Sequence, residues 1–149
     1  MNPLRKQSII VIQLTLLFFT SFGIPVSQAQ IAIGIAYKPM SGSCKQFNEA
    51  VGYASKINGG KLKDITKVVS DLLSSQYNVS SSNVMIFSST SKKGAVILRY
   101  KKPISGYNCL KSAYAVGFGN TVGEALNAAK KEMRLYYSGN EYWQETWVH

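Results

Sequence analysis

Histidine, acidic residues and cysteine are scarce in this chain, and each scarcity removes a class of chemistry. Its 149 residues include one histidine, His149, and two cysteines, Cys44 and Cys109. A structural zinc site of the Cys/His type needs more ligands than these. A Ser–His or Cys–His catalytic pair would have to use the terminal residue, a position that is usually mobile. Seven acids stand against 17 Lys and Arg. Asp64 and Asp71 belong to a solvated helix face, Glu124 fits a helix cap, and Glu49 alternates alone in a strand. Acid–base work usually needs a partnered carboxylate. No glycine-rich phosphate loop occurs, and Asn58-Gly59-Gly60-Lys61 lacks the Walker spacing and reads as a turn. Neither an enzymatic activity nor a cofactor or metal is expected.

Long apolar runs are also missing, with one short exception. Arg5 and Lys6 precede an apolar stretch from Ile9 to Phe22, which Gly23 and Pro25 end. Ser27 and Ala29 supply the small side chains that a signal peptidase reads. Residues 1–29 therefore read as a secretory signal peptide, cut between Ala29 and Gln30. The stretch falls short of the roughly 20 residues a bilayer span requires, so no stable membrane span is expected after cleavage. A secreted or periplasmic location follows.

The remainder, 30–149, has the size of a single domain. Loss of Arg5 and Lys6 lowers the formal charge of +10 by two units. The remaining lysines are scattered, as Lys61, Lys63 and Lys67, Lys92 and Lys93, Lys101 and Lys102, Lys130 and Lys131. A nucleic-acid reader concentrates them with aromatics between, so no nucleic-acid partner is expected. The charge implies solubility and attraction to anionic surfaces. Outside the cytoplasm these are lipids, glycans and cell-wall polymers. Export also puts Cys44 and Cys109 where disulfides persist. They are expected to pair, at a gain of about 4 kcal/mol by loop entropy; two buried free thiols are the alternative.

The most informative feature is an internal repeat, about 31–76 and 84–137. Tyr37, Pro39, Ser41-Gly42 and Cys44 lead to Val51-Gly52-Tyr53. Tyr100, Pro103, Ser105-Gly106 and Cys109 lead to Val116-Gly117-Phe118, with the same interval from Cys to Val. Each unit reads strand, turn, strand, helix. The strands are expected at 31–37, 47–55, 95–101 and 110–119. An extra strand at 84–88 enters the second unit through a hairpin turn at Ser91–Gly94. In the helices, Leu62, Ile65, Val69, Leu72 and Leu73 share one face, as do Val122, Ala125, Leu126, Ala129 and Met133. Thr121 and Glu124 form a capping box. The fold expected is α+β: a mostly antiparallel sheet of about five strands from two ββα-like repeats, with both helices on one face.

The return strands carry the binding candidates. Val51 and Tyr53 are expected on one face, as are Tyr114, Val116 and Phe118, with Ala and Gly opposite. The bulky face is either core beneath the helices or an exposed platform able to stack on sugar rings. The aromatic tail 138–149 offers Trp143 and Trp147, either filling the edge of the core or anchoring a partner. Asn78-Val79-Ser80 fits the glycosylation sequon, which matters only in a eukaryotic host.

Ile35-Ala36-Tyr37-Lys38-Pro39 with Ser41-Gly42, and then Gly52-Tyr53-Ala54-Ser55, resembles the opening of a family of small bacterial exported domains of unknown function. In these an AIAYSP-x-TG strand leads to an aromatic-glycine strand and an Ala-rich helix. Val84–Ser88, Gly94-Ala95-Val96 and Ala115–Thr121 with Glu124-Ala125 extend the likeness over about 31–133. The chain departs from that pattern in lacking a cysteine at the helix ends and in its longer first helix. The resemblance implies a bacterial exported domain and supplies no activity, because that family's own activity is not established. The function expected is an exported, non-enzymatic binding or interaction module of the envelope, its partner a protein or an anionic or glycan component. The alternative is a secreted inhibitor or immunity-type protein presenting the turns Pro39–Gly42 and Pro103–Gly106.

Overall fold

The computed structural model describes residues 29–149. The proposed signal segment lies outside them, apart from Ala29. Six strands and two helices follow in the order β1 (Ile31–Pro39), β2 (Asn48–Ile57), α1 (Leu62–Tyr77), β3 (Val84–Ser89), β4 (Gly94–Pro103), β5 (Leu110–Gly119), α2 (Val122–Tyr136) and β6 (Gln144–Val148).

Alternation of large and small side chains decides how the layers stack. In β1, Ile31, Ile33 and Ile35 point one way and Ala32, Gly34 and Ala36 the other. The isoleucines pack with Ala95, Ile97, Tyr114 and Val116 of the second half, forming a core between two sheets. The alanines receive Ile65, Val69 and Leu73 of α1. In the second half, Val96, Leu98, Ala113 and Ala115 receive Ala125, Ala129 and Met133 of α2. The result is four layers: helix, sheet, sheet, helix.

The α+β class and the antiparallel pairing are as expected, but the expected single sheet is two. One has strand order β2-β1-β3 and the other β5-β4-β6. Each sheet carries its own helix on its outer face. The reason is steric. An added Cβ at Gly117 would lie 2.1 Å from the Ala129 backbone nitrogen and 2.2 Å from the Ala125 oxygen. Only the Ala/Gly face lets a helix come that close. The bulky face is thus neither under a helix nor bare: the other sheet covers it.

Each half is a ββαβ unit. The first two strands form a hairpin, and the third returns past the helix to pair with the first, β3 with β1 and β6 with β4. The strand 84–89 therefore closes the first unit rather than entering the second. Ser91–Gly94 links two sheets and is no hairpin turn, because β3 and β4 do not pair. The tail segment supplies the matching strand β6.

Local deviations have identifiable causes. A bulge at Val51, where Ala36 pairs with Gly52 but Tyr37 with Ala50, interrupts the alternation of β2. Val51 consequently joins the α1 side and Tyr53 the inter-sheet core, so they do not share a face. Leu72 and Val122, expected on inner helix faces, are 51% and 43% exposed. They flank the buried rows Ile65–Val69–Leu73 and Ala125–Ala129–Met133. The Thr121 half of the α2 cap forms as read, accepting from the Glu124 N–H at 3.2 Å, whereas Glu124 reaches back one residue further and accepts from the Asn120 N–H at 2.9 Å rather than from that of Thr121.

Candidate functional site

The two hairpin tips lie side by side. Gly42 and Gly106 take φ of +66° and +79° in their turns. A disulfide joins Cys44 to Cys109 across a sequence separation of 65, with Cα atoms 6.3 Å apart. Nearby, Phe47 meets the Tyr107 ring edge-on at 4.8 Å, and Glu49 accepts from the Ser112 N–H at 3.3 Å. These contacts tie the start of β2 to the start of β5.

Beside this tie a hollow of about 260 Å³ opens between the halves. Its aromatic walls are Tyr37 and Phe87 from the first unit and Tyr100, Tyr114 and Tyr136 from the second. Lys102, Lys111 and Glu132 supply its charge. Lys102 faces Lys111 directly across the β4–β5 ladder. Like charges in that position repel, and burial followed by the Lys111 charge lowers the Lys102 ammonium below its usual pKa. Among the described residues neither lysine has a carboxylate in ion-pair contact, the one such pair being Lys67–Asp71. The matching place in the first unit, one residue before Pro39, pairs Lys38 with Glu49. One unit has opposite charges there, the other has like charges.

Three tyrosines of the hollow are harder to ionise than usual. Burial, then Tyr37, Glu132 and Tyr136, push Tyr100 up to about 12. Burial and Tyr136 raise Tyr37. Burial raises Tyr114 against the opposing pull of Arg99. Their hydroxyls stay neutral at physiological pH and can both donate and accept hydrogen bonds. The Lys102 ammonium also lies 4.9 Å from the Tyr136 ring centre.

The sequence candidates distribute differently. Tyr53 is half-buried, meets Tyr114 edge-on at 5.6 Å and donates to Thr146 at 3.3 Å. Tyr114 is 8% exposed, and Phe118 packs on the same core. These three form no open platform; Tyr114 alone also borders the hollow. Trp147 packs against the α2 side of its sheet. Trp143 is 48% exposed, with the Arg99 guanidinium 5.1 Å and the Lys101 ammonium 5.9 Å from its ring. Arg99 lies between Trp143 and Tyr114, and its buried Nε has no hydrogen-bond partner. At the proposed cleavage point, Gln30 exchanges hydrogen bonds with Asn58, donating to its side chain at 3.2 Å and accepting from its N–H at 2.8 Å.

Tyr37, Lys102, Lys111 and Tyr136 were not singled out from sequence. Counting outward from the Pro103–Gly106 turn would have set Lys102 opposite Lys111. Tyr37 opens the first repeat as Tyr100 opens the second, but that spacing does not mark it as the wall of a site, and Tyr136 comes from an element distant in the chain. Among the described residues no group of three or more His, Cys, Asp or Glu could hold a metal ion. None of their helices is long and apolar enough to cross a membrane. Compared with protein-family models, curated proteins and solved structures, the chain matches none.

Proposed function

We propose that the chain is an exported, non-enzymatic binding module of the bacterial envelope, and that its hollow holds a small anionic ligand bearing a sugar-like ring. One observation carries this reading: Lys102 and Lys111 stand opposed, without a carboxylate partner, at a tyrosine-walled hollow. An anion between them removes the repulsion, a gain realised only on binding. Glu132 offsets one of the two charges, leaving a net attraction. Tyrosine faces suit the C–H faces of a ring, and their neutral hydroxyls suit its substituents. The disulfide agrees with an oxidising compartment, and the likeness to small bacterial exported domains gives that compartment a host.

The test is calorimetric titration with glucuronate and with glucose. Glucuronate is expected to bind more tightly by about tenfold or more, with an affinity that falls as salt rises. Equal affinity for the two sugars, or no heat from either, would overturn the reading. A second reading, an inhibitor of an envelope enzyme, is favoured by the disulfide-joined tips, where Tyr107 and Leu110 are 55% and 61% exposed. Tyr107→Ala separates the two, since it disrupts capture of a partner enzyme and leaves glucuronate binding intact.

A further inference from the structure

The hollow is not closed at its first-unit side. A second hollow of about 400 Å³ adjoins it, and Tyr37, Asn48 and Met85 border both. Its far side is formed by Ser82, Asn83 and Val84, at the turn that leads into β3. The two hollows make one groove that crosses from the second unit to the first.

The chemistry changes along this groove. Lys102, Lys111 and Glu132 all lie at one end. The other end has no charged side chain: Asn48, Asn83 and Ser82 offer amides and a hydroxyl, and Tyr37 and Met85 offer apolar surface. Met85 is 51% exposed, an unusual position for a large apolar strand residue facing the neighbouring sheet. The first hollow alone lies just under the roughly 300–1,000 Å³ usual for small-molecule sites, so it has room for little more than one ring.

We infer that the groove binds a short saccharide chain whose negative charge is confined to one terminal unit, with the neutral units running over Tyr37 and Met85 toward Asn83. This rests on the proposed function, because the charged end is the site described there. A chain charged on every unit would place carboxylates among Asn48, Ser82 and Asn83, where no cation of the hollow attracts them and its added charge gains nothing. A neutral chain would leave the lysine pair unrelieved. An acidic peptide is a different occupant, and the uncharged end provides no cation for its further carboxylates.

The experiment titrates the intact, oxidised protein with glucuronate, with glucuronate joined to one, two or three neutral xylose units, with tri-galacturonate, and with a tri-glutamate peptide. The end-charged chains are expected to bind about tenfold more tightly than glucuronate, reaching a plateau by the second xylose. Asn83→Ala is expected to abolish that gain while leaving the affinity for glucuronate itself unchanged. The Asn83 side-chain amide signals in NMR should move with the longer chains only. Binding of glucuronate with no gain from chain length overturns this inference and leaves the proposed function standing. Equal or tighter binding of tri-galacturonate or of the peptide also overturns it. Absence of binding by every probe overturns both.

Discussion

Replacing Lys111 by Glu gives the second unit the charge arrangement that the first already has. Lys102 then faces a carboxylate, as Lys38 faces Glu49. Directly opposed side chains have Cβ atoms about 5 Å apart, and such pairs contribute roughly 0.2–1 kcal/mol in either direction. Reversing the sign from repulsive to attractive is therefore worth about 1 kcal/mol, with both side chains only half-buried and partly screened. For a domain of this size that raises Tm by about 4 °C. The same change replaces an attractive charge by a repulsive one at the hollow. At about 4 Å in the dielectric of water, losing about 1 kcal/mol of attraction and adding as much repulsion costs about 2 kcal/mol of anion binding, or roughly thirtyfold. Lys111→Gln, which only removes the repulsion, should lie between wild type and Lys111→Glu on both scales. Urea melts and glucuronate titrations of the three proteins measure the two effects. A Lys111→Glu protein less stable than wild type would refute the repulsion, and unchanged glucuronate affinity would refute the site.

Other consequences can be measured without a ligand. Gly117→Ala drives a methyl group into the α2 backbone, which cannot yield as a side chain would; a loss of at least about 3 kcal/mol or insoluble protein is expected. Gly123→Ala, in the first turn of α2 with nothing near its added Cβ, should instead gain up to about 1 kcal/mol in thermal melts. Reducing Cys44–Cys109, which spans a separation of 65, should lower the unfolding free energy by about 4 kcal/mol in urea; an unchanged midpoint would contradict the entropic account. Tyr100 titrates near 12 in the folded chain against 10.0 unfolded, so its contribution is full below pH 10 and is lost as pH rises toward 12. That loss is about 2–3 kcal/mol, and Tyr100→Phe should flatten the alkaline limb of a stability-against-pH curve.

Much of the fold could be read from local pattern. Ile31-Ala32-Ile33-Gly34-Ile35-Ala36 declares a strand with two unlike faces, and the spacing from Cys44 to Val51 and from Cys109 to Val116 declares a duplication. What covers each face is a different question. The alternation of large and small residues shows where a helix can come close, but it does not say that a second sheet will close the other side. Pairing of β3 with β1 is a long-range choice with no local marker. Gln144-Glu145-Thr146-Trp147-Val148 was obscure because its inward residues are few: Thr146 meets Tyr53 and Val148 joins the inter-sheet core, while Trp147 turns toward α2. Of the aromatic candidates, Tyr53, Tyr114, Phe118 and Trp147 pack into the core on account of their bulk, and Trp143 alone stays exposed. The hollow depends on strand register and on residues from both halves, so composition left it hidden.

The unequal lysine pairing has a consequence for the origin of the arrangement. A symmetric dimer of one ββαβ unit would carry each substitution twice. It could have two Lys–Glu pairs or two Lys–Lys pairs, and never one of each. Two copies in a single chain, held together through the Ile31–Ile33–Ile35 layer and the Cys44–Cys109 bond, are free of that restriction. Glu49 can then tie the halves together through the Ser112 N–H while Lys102–Lys111 gives some stability up. Duplication within the chain is what permits a groove that has a direction, with a charged end and a neutral one.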